Sequence, residues 1–393
     1  MVLADGGEPA SRPVAGRGEW AAAGEPPFPL VYWAGQYEGL VTLHDGRVLA
    51  AGGAGPDLRS VSTAALYDPA HNSWTTTGEL RQDRRLHTLT VLADGRVLAA
   101  GGTPGPQAYP QPALDSTELY DPESGTWEPG RPMAAARTGH SATLLPDGRV
   151  LVAGGLRPRD TRTVLTLAAA ELFDPDTGTW TPARDMLDPR WHHAAALLPD
   201  GRVLAVGGLT ATERPVLTPL GWCETYDPLG DRWTATGALH SARSDHQAVP
   251  LPDGSVLVLG GGRTPTGDAR HDPYGPTGVE RYDPATGTWQ QEAPLPWGRC
   301  AARALALPSG EVLVCGGADP AVLDCGYPSA LRYDPAAHRW YPAGPLRTGR
   351  WIFGATSLAD GRVLVAGGVT RTGVAAPALG ADVPATQAEV FTP

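Results

Sequence analysis

Lysine is absent from this chain, and asparagine and isoleucine occur once each, as Asn72 and Ile352. Without lysine there is no Schiff-base chemistry and no lysine-dependent phosphate cradle, so neither a nucleotide nor a pyridoxal phosphate cofactor is expected. All three residue types have AT-rich codons, and their scarcity points to a GC-rich bacterial genome rather than to selection on the protein. The four cysteines, Cys223, Cys300, Cys315 and Cys325, show no CxxC spacing. That fits free thiols better than a disulfide framework or a zinc site. No run of 18 apolar residues occurs and the first 18 residues contain no apolar core of a signal peptide, so neither membrane spanning nor secretion is signalled and a cytoplasmic location is expected. Basic residues number 31 against 42 acidic ones, a net charge of -11, which argues against nucleic-acid and anionic-membrane partners.

Glycine (50) and proline (40) are plentiful, yet 41% of residues are hydrophobic, the balance of a turn-dense folded protein. The turns recur. One copy of the unit runs Arg137-Thr-Gly-His140, an apolar strand to Leu145, the turn Pro146-Asp-Gly-Arg149, the strand Val150 to Ala153, and Gly154-Gly155. After a loop come Glu171-Leu-Phe-Asp174-Pro175, a second turn and Trp180. Seven copies place a turn glycine (Gly46, Gly95, Gly148, Gly201, Gly254, Gly310, Gly361) six residues before a glycine doublet. Six copies place an aromatic residue seven positions before a Trp, and each such Trp stands twenty-one before the next turn glycine. Only the stretch after the doublet varies in length.

Asp-Gly between apolar runs predicts a two-residue type I′ hairpin turn, and Val-Leu-Val-Ala without alternation predicts a strand covered on both faces. The doublet admits close backbone approach, and the Trp supplies large buried area between stacked units. Gly-Gly, aromatic-Asp-Pro and Trp at a period near fifty residues resemble the kelch repeat over almost the whole chain. The resemblance implies an all-β fold, a seven-bladed β-propeller of four-stranded kelch blades. The last copy ends at Glu389-Val390-Phe391 without a Trp, while Gly18-Glu19-Trp20 is an orphan fourth strand. The N-terminal strand is therefore expected to complete the C-terminal blade and close the ring. Residues 1–17 read as a flexible N-terminal segment and 18–393 as a single propeller.

In such a meander the invariant turns occupy one face and every variable loop the other, where function is expected. At the entrance of each innermost strand on that face lies an Arg-x-x-His slot, filled as Arg84/His87, Arg137/His140, Arg190/His193 and Arg243/His246. Three copies deviate: Gly35 with Glu38, Arg299 with Ala302, and Arg350 with Phe353. Imidazoles at one level around an axis suit a transition metal or acid-base work; equally, the slots brace neighbouring blades. His87, His140, His192, His193, His246 and Glu38 are the catalytic candidates. Glu79-x-x-x-Asp83-x-x-x-His87 offers two carboxylates and an imidazole for a divalent metal, Fe(II) first. It resembles the metal triad of plant nitrile- and thiocyanate-forming specifier proteins, which are kelch propellers. Arg190-Trp-His192-His193-Ala resembles a copper-binding segment of galactose oxidases. Here His192 replaces the tyrosine and no cysteine is placed for a crosslinked radical, so a copper-radical oxidase is not expected.

Five Trp lie outside the repeat position: Trp33, Trp191, Trp222, Trp297 and Trp351. Trp33, Trp191, Trp297, Trp351 and Phe353, with Arg299, Arg303 and Arg350 as an anion-reading side, are expected to line a substrate pocket on the variable-loop face. Tyr109, His271 and Tyr274 fall in loops of that face. One functional expectation is an enzyme of specialised metabolism, with metal-assisted or acid-base lyase, isomerase or cyclase chemistry on a small, partly apolar ligand. The alternatives are a kelch protein-interaction module with a protein partner and a non-catalytic binder of a metabolite or sugar.

Overall fold

The computed structural model describes residues 16–30, 39–57, 59–106, 110, 112–211, 217–262, 277–318, 325–371 and 382–393. Among them every regular element is a β-strand. Seven four-stranded antiparallel sheets follow one another along the chain. Blade 1 comprises Leu40–Thr42, Val48–Ala51, Ala64–Asp68 and Ser73–Thr76. Blade 3 comprises Ser141–Leu144, Val150–Ala153, Ala170–Asp174 and Thr179–Ala183. Each innermost strand packs against the innermost strands of both neighbouring blades, so the seven form a closed ring.

Blade 7 takes its outermost strand, Glu19–Ala22, from the N-terminus; it pairs antiparallel with Glu389–Thr392, Trp20 opposite Phe391. Trp20 also donates its indole N–H to the Gly344 carbonyl, in the link that leads from blade 6 into blade 7, at 2.8 Å. Trp180, Trp233, Trp289 and Trp340 do the same towards the link preceding their own blades. Trp20 thus fills the seventh repeat position, as the spacing predicts, and the ring has no open edge. The second strand is buried at every residue in all seven blades, because sheets cover it on both faces.

Two local features differ from the sequence reading. The Asp-Gly turns are not type I′. In Leu43 to Arg47 the amide of Gly46 donates to Leu43 O and that of Leu43 to Arg47 O, and only Gly46 has positive φ (87°). This is a three-residue loop, a type I turn closed by a left-handed glycine, which bends the strands with the correct twist by another route. Secondly, three variable loops carry short hairpins of their own: Leu156–Pro158 with Val164–Thr166, Leu209–Ala211 with Leu217–Pro219, and Val369–Arg371 with Val383–Pro384. Because these loops differ in length, repeat spacing held no signal for them.

Candidate functional site at the axial mouth

The slot residues are positioned by the strand entrances on the variable-loop face. In blade 3 the Arg137 guanidinium donates to the carbonyls of Gly154 and Ala169, both at 2.8 Å, and to Glu171 at 2.6 Å. Glu171 also receives the amides of Ala134 and Ala135 from the incoming link. One buried ion pair thereby ties link, slot and third strand together. Arg84–Glu118, Arg190–Glu224, Arg243–Glu280 and Arg350–Glu389 repeat it at 2.6–3.0 Å, with all five guanidinium groups fully buried. Arg350 therefore belongs to the scaffold and not to a pocket wall.

The slot histidines are wedges between blades. His87, His140, His193 and His246 are buried, and a Cβ on Gly52, Gly101, Gly154 or Gly207 of the preceding blade would strike their Cε1 atoms at 2.7–3.0 Å. The first glycine of each doublet is thus required by the ring packed against it. His140 Nε2 meets Thr88 Oγ1 at 3.2 Å and His193 Nε2 meets Ser141 Oγ at 2.9 Å, each across a blade junction. Burial, then the nearby slot arginine, drives His87 and His246 down to about 3 and holds His140 and His193 well below the ordinary imidazole value. All four are neutral at physiological pH and shielded from solvent, which corrects their reading as a catalytic ring. In blade 7 the fully buried Phe353 occupies the same wedge against Gly316, so it too is structural.

Glu79, Asp83 and His87 are not brought together. Glu79 is exposed and accepts from Ser62 Oγ at 3.2 Å. Asp83 caps the next loop through the Gly105 amide at 2.7 Å and holds Gln82. His87 lies in the blade junction. Among the described residues no three His, Cys, Asp or Glu side chains are grouped to hold a metal ion. The donor set does not fit Fe(II), because its three members answer to three different structural partners.

Of the expected pocket walls, Trp191 is buried against Leu156, Leu209 and Val164, and Arg303 is buried with its Nε donating to Phe353 O at 2.6 Å. Trp351 is half-buried against Ala54, Ala301, Ile352 and Val369. Arg299 is fully buried beneath Trp297 and Tyr327, its guanidinium carbon 5.9 and 5.6 Å from their ring centres. Only Trp297 stands exposed. Trp33, Glu38, Tyr109, His271 and Tyr274 lie outside the described residues.

What the structure does assemble at the mouth is a pair. The residue before each slot histidine has left-handed φ in six blades: Leu86, Gly139, His192, Asp245, Ala301 and Ile352, at 47–64°. Successive members are joined by backbone hydrogen bonds around the axis, Gly139 N to Leu86 O, His192 N to Gly139 O and Asp245 N to His192 O. This inner rim brings the His192 and Asp245 side chains together, Nδ1 to Oδ1 at 2.6 Å, and Ser244 Oγ donates to the other carboxylate oxygen at 3.0 Å. Burial alone would raise the Asp245 carboxyl, but the adjoining His192 charge and the His192 and Ser244 hydrogen bonds outweigh it and hold the group below its ordinary value. The His192 ring packs on Trp191 at 4.0 Å and over Gly139, where a Cβ would lie 2.7 Å from it. A carboxylate-oriented imidazole at a strained rim is suited to proton transfer. Sequence reading named His192 and missed Asp245. The available signal was that both occupy the same slot position in adjacent repeats.

The Kelch motif family matches residues 84–134. Beta-scruin of Limulus polyphemus is 31% identical over 231 residues, 56% of this chain and 23% of the scruin. Kelch-like protein 35 of Mus musculus is 27% identical over 256 residues, 65% of this chain and 39% of the relative. The chain thus spans well under half the length of either curated relative. Among solved structures, a fungal alcohol oxidase of the AA5 family in complex with copper superposes with a TM-score of 0.68 at 19% identity, covering 96% of this chain and 76% of the oxidase. That likeness is one of fold. Seven closed blades, the repeat that builds them and these relatives together make the chain a kelch-repeat β-propeller.

Proposed function

We propose that the protein is an interaction module whose variable-loop face binds a partner protein. The observation that carries this is the placement of exposed apolar side chains. Of the five large ones among the described residues, Trp222, Leu187 and Trp297 lie in the variable loops and inter-blade links of that face, with Trp222 59% and Leu187 57% exposed on blade 4. Exposed tryptophan on a rigid scaffold is the side chain that most often anchors a protein interface. The kelch-like and scruin relatives support the same reading. Quantitative affinity capture from the native host, comparing wild type with a Trp222→Ser/Trp297→Ser double variant, tests it. A stoichiometric partner should fall at least about tenfold in the double variant and persist in Leu229→Ser on the opposite face. A partner retained by the double variant would remove the reading.

The His192–Asp245 pair favours a second reading, acid-base chemistry or binding of a small molecule at the axial mouth. Ligand-observed NMR fragment screening against wild type and Asp245→Asn separates the two. Fragments whose binding depends on Asp245 support a small-molecule site, and a screen without them speaks against it.

A further inference from the structure

On the opposite face, five of the seven invariant turns read Asp-Gly-Arg: Arg47, Arg96, Arg149, Arg202 and Arg362. The arginine folds back on its own turn aspartate at 2.6–2.7 Å in all five. In three of them it also reaches across the blade junction to the proline carbonyl of the next blade's Asp-Pro turn: Arg47 to Pro122 at 3.1 Å, Arg96 to Pro175 at 3.0 Å and Arg202 to Pro284 at 3.3 Å. A guanidinium is thus the ordinary filling of the groove between two blades on this face.

Blade 5 breaks the rule. Its turn is Asp253-Gly254-Ser255, while the next blade still presents Asp334-Pro335. Where the arginine would lie there is a cleft of about 410 Å³, lined by Pro252, Asp253, Arg281, Asp334, Pro335 and His338 among others. That volume is within the roughly 300–1,000 Å³ typical of small-ligand sites. Arg281, from the third strand of blade 5, pairs with Asp253 and donates to Ser255 Oγ at 2.7 Å, but makes no bond to Pro335. Asp334 accepts the amides of Ala336 and Ala337 on one oxygen. The second oxygen has no hydroxyl donor, because Ala337 stands where Asp121 and Asp283 have Ser124 and Thr286. His338 is held away by Glu292 at 2.5 Å. The groove therefore holds one guanidinium, that of Arg281, committed to Asp253 and Ser255, and leaves the Pro335 carbonyl without the arginine that Pro122, Pro175 and Pro284 receive.

We propose that this cleft between blades 5 and 6 is a binding site for an alkylguanidinium, supplied in trans as an arginine side chain of a partner protein. The planar fork would donate to the Pro335 carbonyl and to the Asp334 carboxylate, the geometry that distinguishes arginine from lysine. The site lies on the face opposite the axial mouth and stands independently of the function proposed above.

The test is NMR titration of the full chain with N-acetyl-arginine amide, N-acetyl-citrulline amide as its uncharged isostere, and free L-arginine, read on the His338 imidazole proton at the cleft. The expected result is a saturable shift with the arginine amide, at least about tenfold tighter than with the citrulline amide. Ser255→Arg restores what most repeats carry, so it should fold and abolish the shift; Asp334→Asn should weaken it about tenfold. Equal binding of the two amides, or binding unaffected by Ser255→Arg, would overturn the proposal. Clearly tighter binding of free L-arginine than of the blocked amide would overturn the protein side chain as the source and assign the cleft to the amino acid.

Discussion

Blade 3 and blade 6 have the same four strands and the same slot arginine, yet they treat that buried charge differently. In blade 3 Arg137 meets Glu171, which also gathers two link amides. In blade 6 the glutamate position is Leu331, and Arg299 has only neutral acceptors, Gly316 O, Ser329 O and Ser329 Oγ at 3.0–3.2 Å, with the faces of Trp297 and Tyr327 nearby. Burial, with no carboxylate to oppose it, pulls the Arg299 guanidinium down to about 10. Blade 1 has lost both members, with Gly35 and Ala65 in the two positions. A repeat can thus discard the pair or replace one partner with dipoles and aromatic faces. What it does not show is a buried glutamate left without its arginine.

The contrast is broken most directly by Glu171→Ala. Removing one partner of a fully buried pair should cost about 3–5 kcal/mol, read as a drop in urea-unfolding free energy. A loss below about 1 kcal/mol would mean that blade 3, like blade 6, satisfies its arginine with dipoles alone.

Acid sharpens the contrast next, because blade 3 has the wedge imidazole of His140 and blade 6 has Ala302. The four wedge histidines have folded values far below the ordinary 6.5, about 3 for His87 and His246, so below pH 6.5 the unfolded chain binds more protons than the folded one. Their contribution is complete above pH 6.5 and is lost progressively as pH falls below it. His140→Phe, copying Phe353 of blade 7, should reduce the slope of stability against pH by up to about one proton below pH 6.5. Urea midpoints measured across that range check this, and an unchanged slope would show that His140 titrates normally.

The smallest effect is expected from Leu331→Glu, which gives Arg299 the partner its counterparts have. A gain of about 1 kcal/mol in unfolding free energy is expected, the new charged hydrogen bond being partly offset by the lost leucine packing. A loss instead would show that Ser329 and the two aromatic faces already satisfy Arg299.

Reading the site from sequence succeeded where position alone carried the information. The slots, their departures at Ala302 and Phe353, and the face they occupy all follow from spacing. It failed where a side chain's role is set by the neighbouring repeat. Arg-x-x-His looked like a ring of ligands because the glycine that receives each imidazole lies in the preceding blade. Asp245 was passed over because its partner, His192, is one blade away. The arginine-free turn at Ser255 became a cleft only once blade 6 stood beside it.

The sequence by itself determined the number of blades, the strands within each, the buried second strand and the closure through Trp20, because these depend on backbone turns and apolar runs repeated within about fifty residues. Tertiary structure alone decided which histidines are buried and neutral, which one meets a carboxylate at the rim, and where the ring lacks a side chain. Those outcomes depend on contacts between consecutive blades, and local propensity carries no record of what the next blade presents.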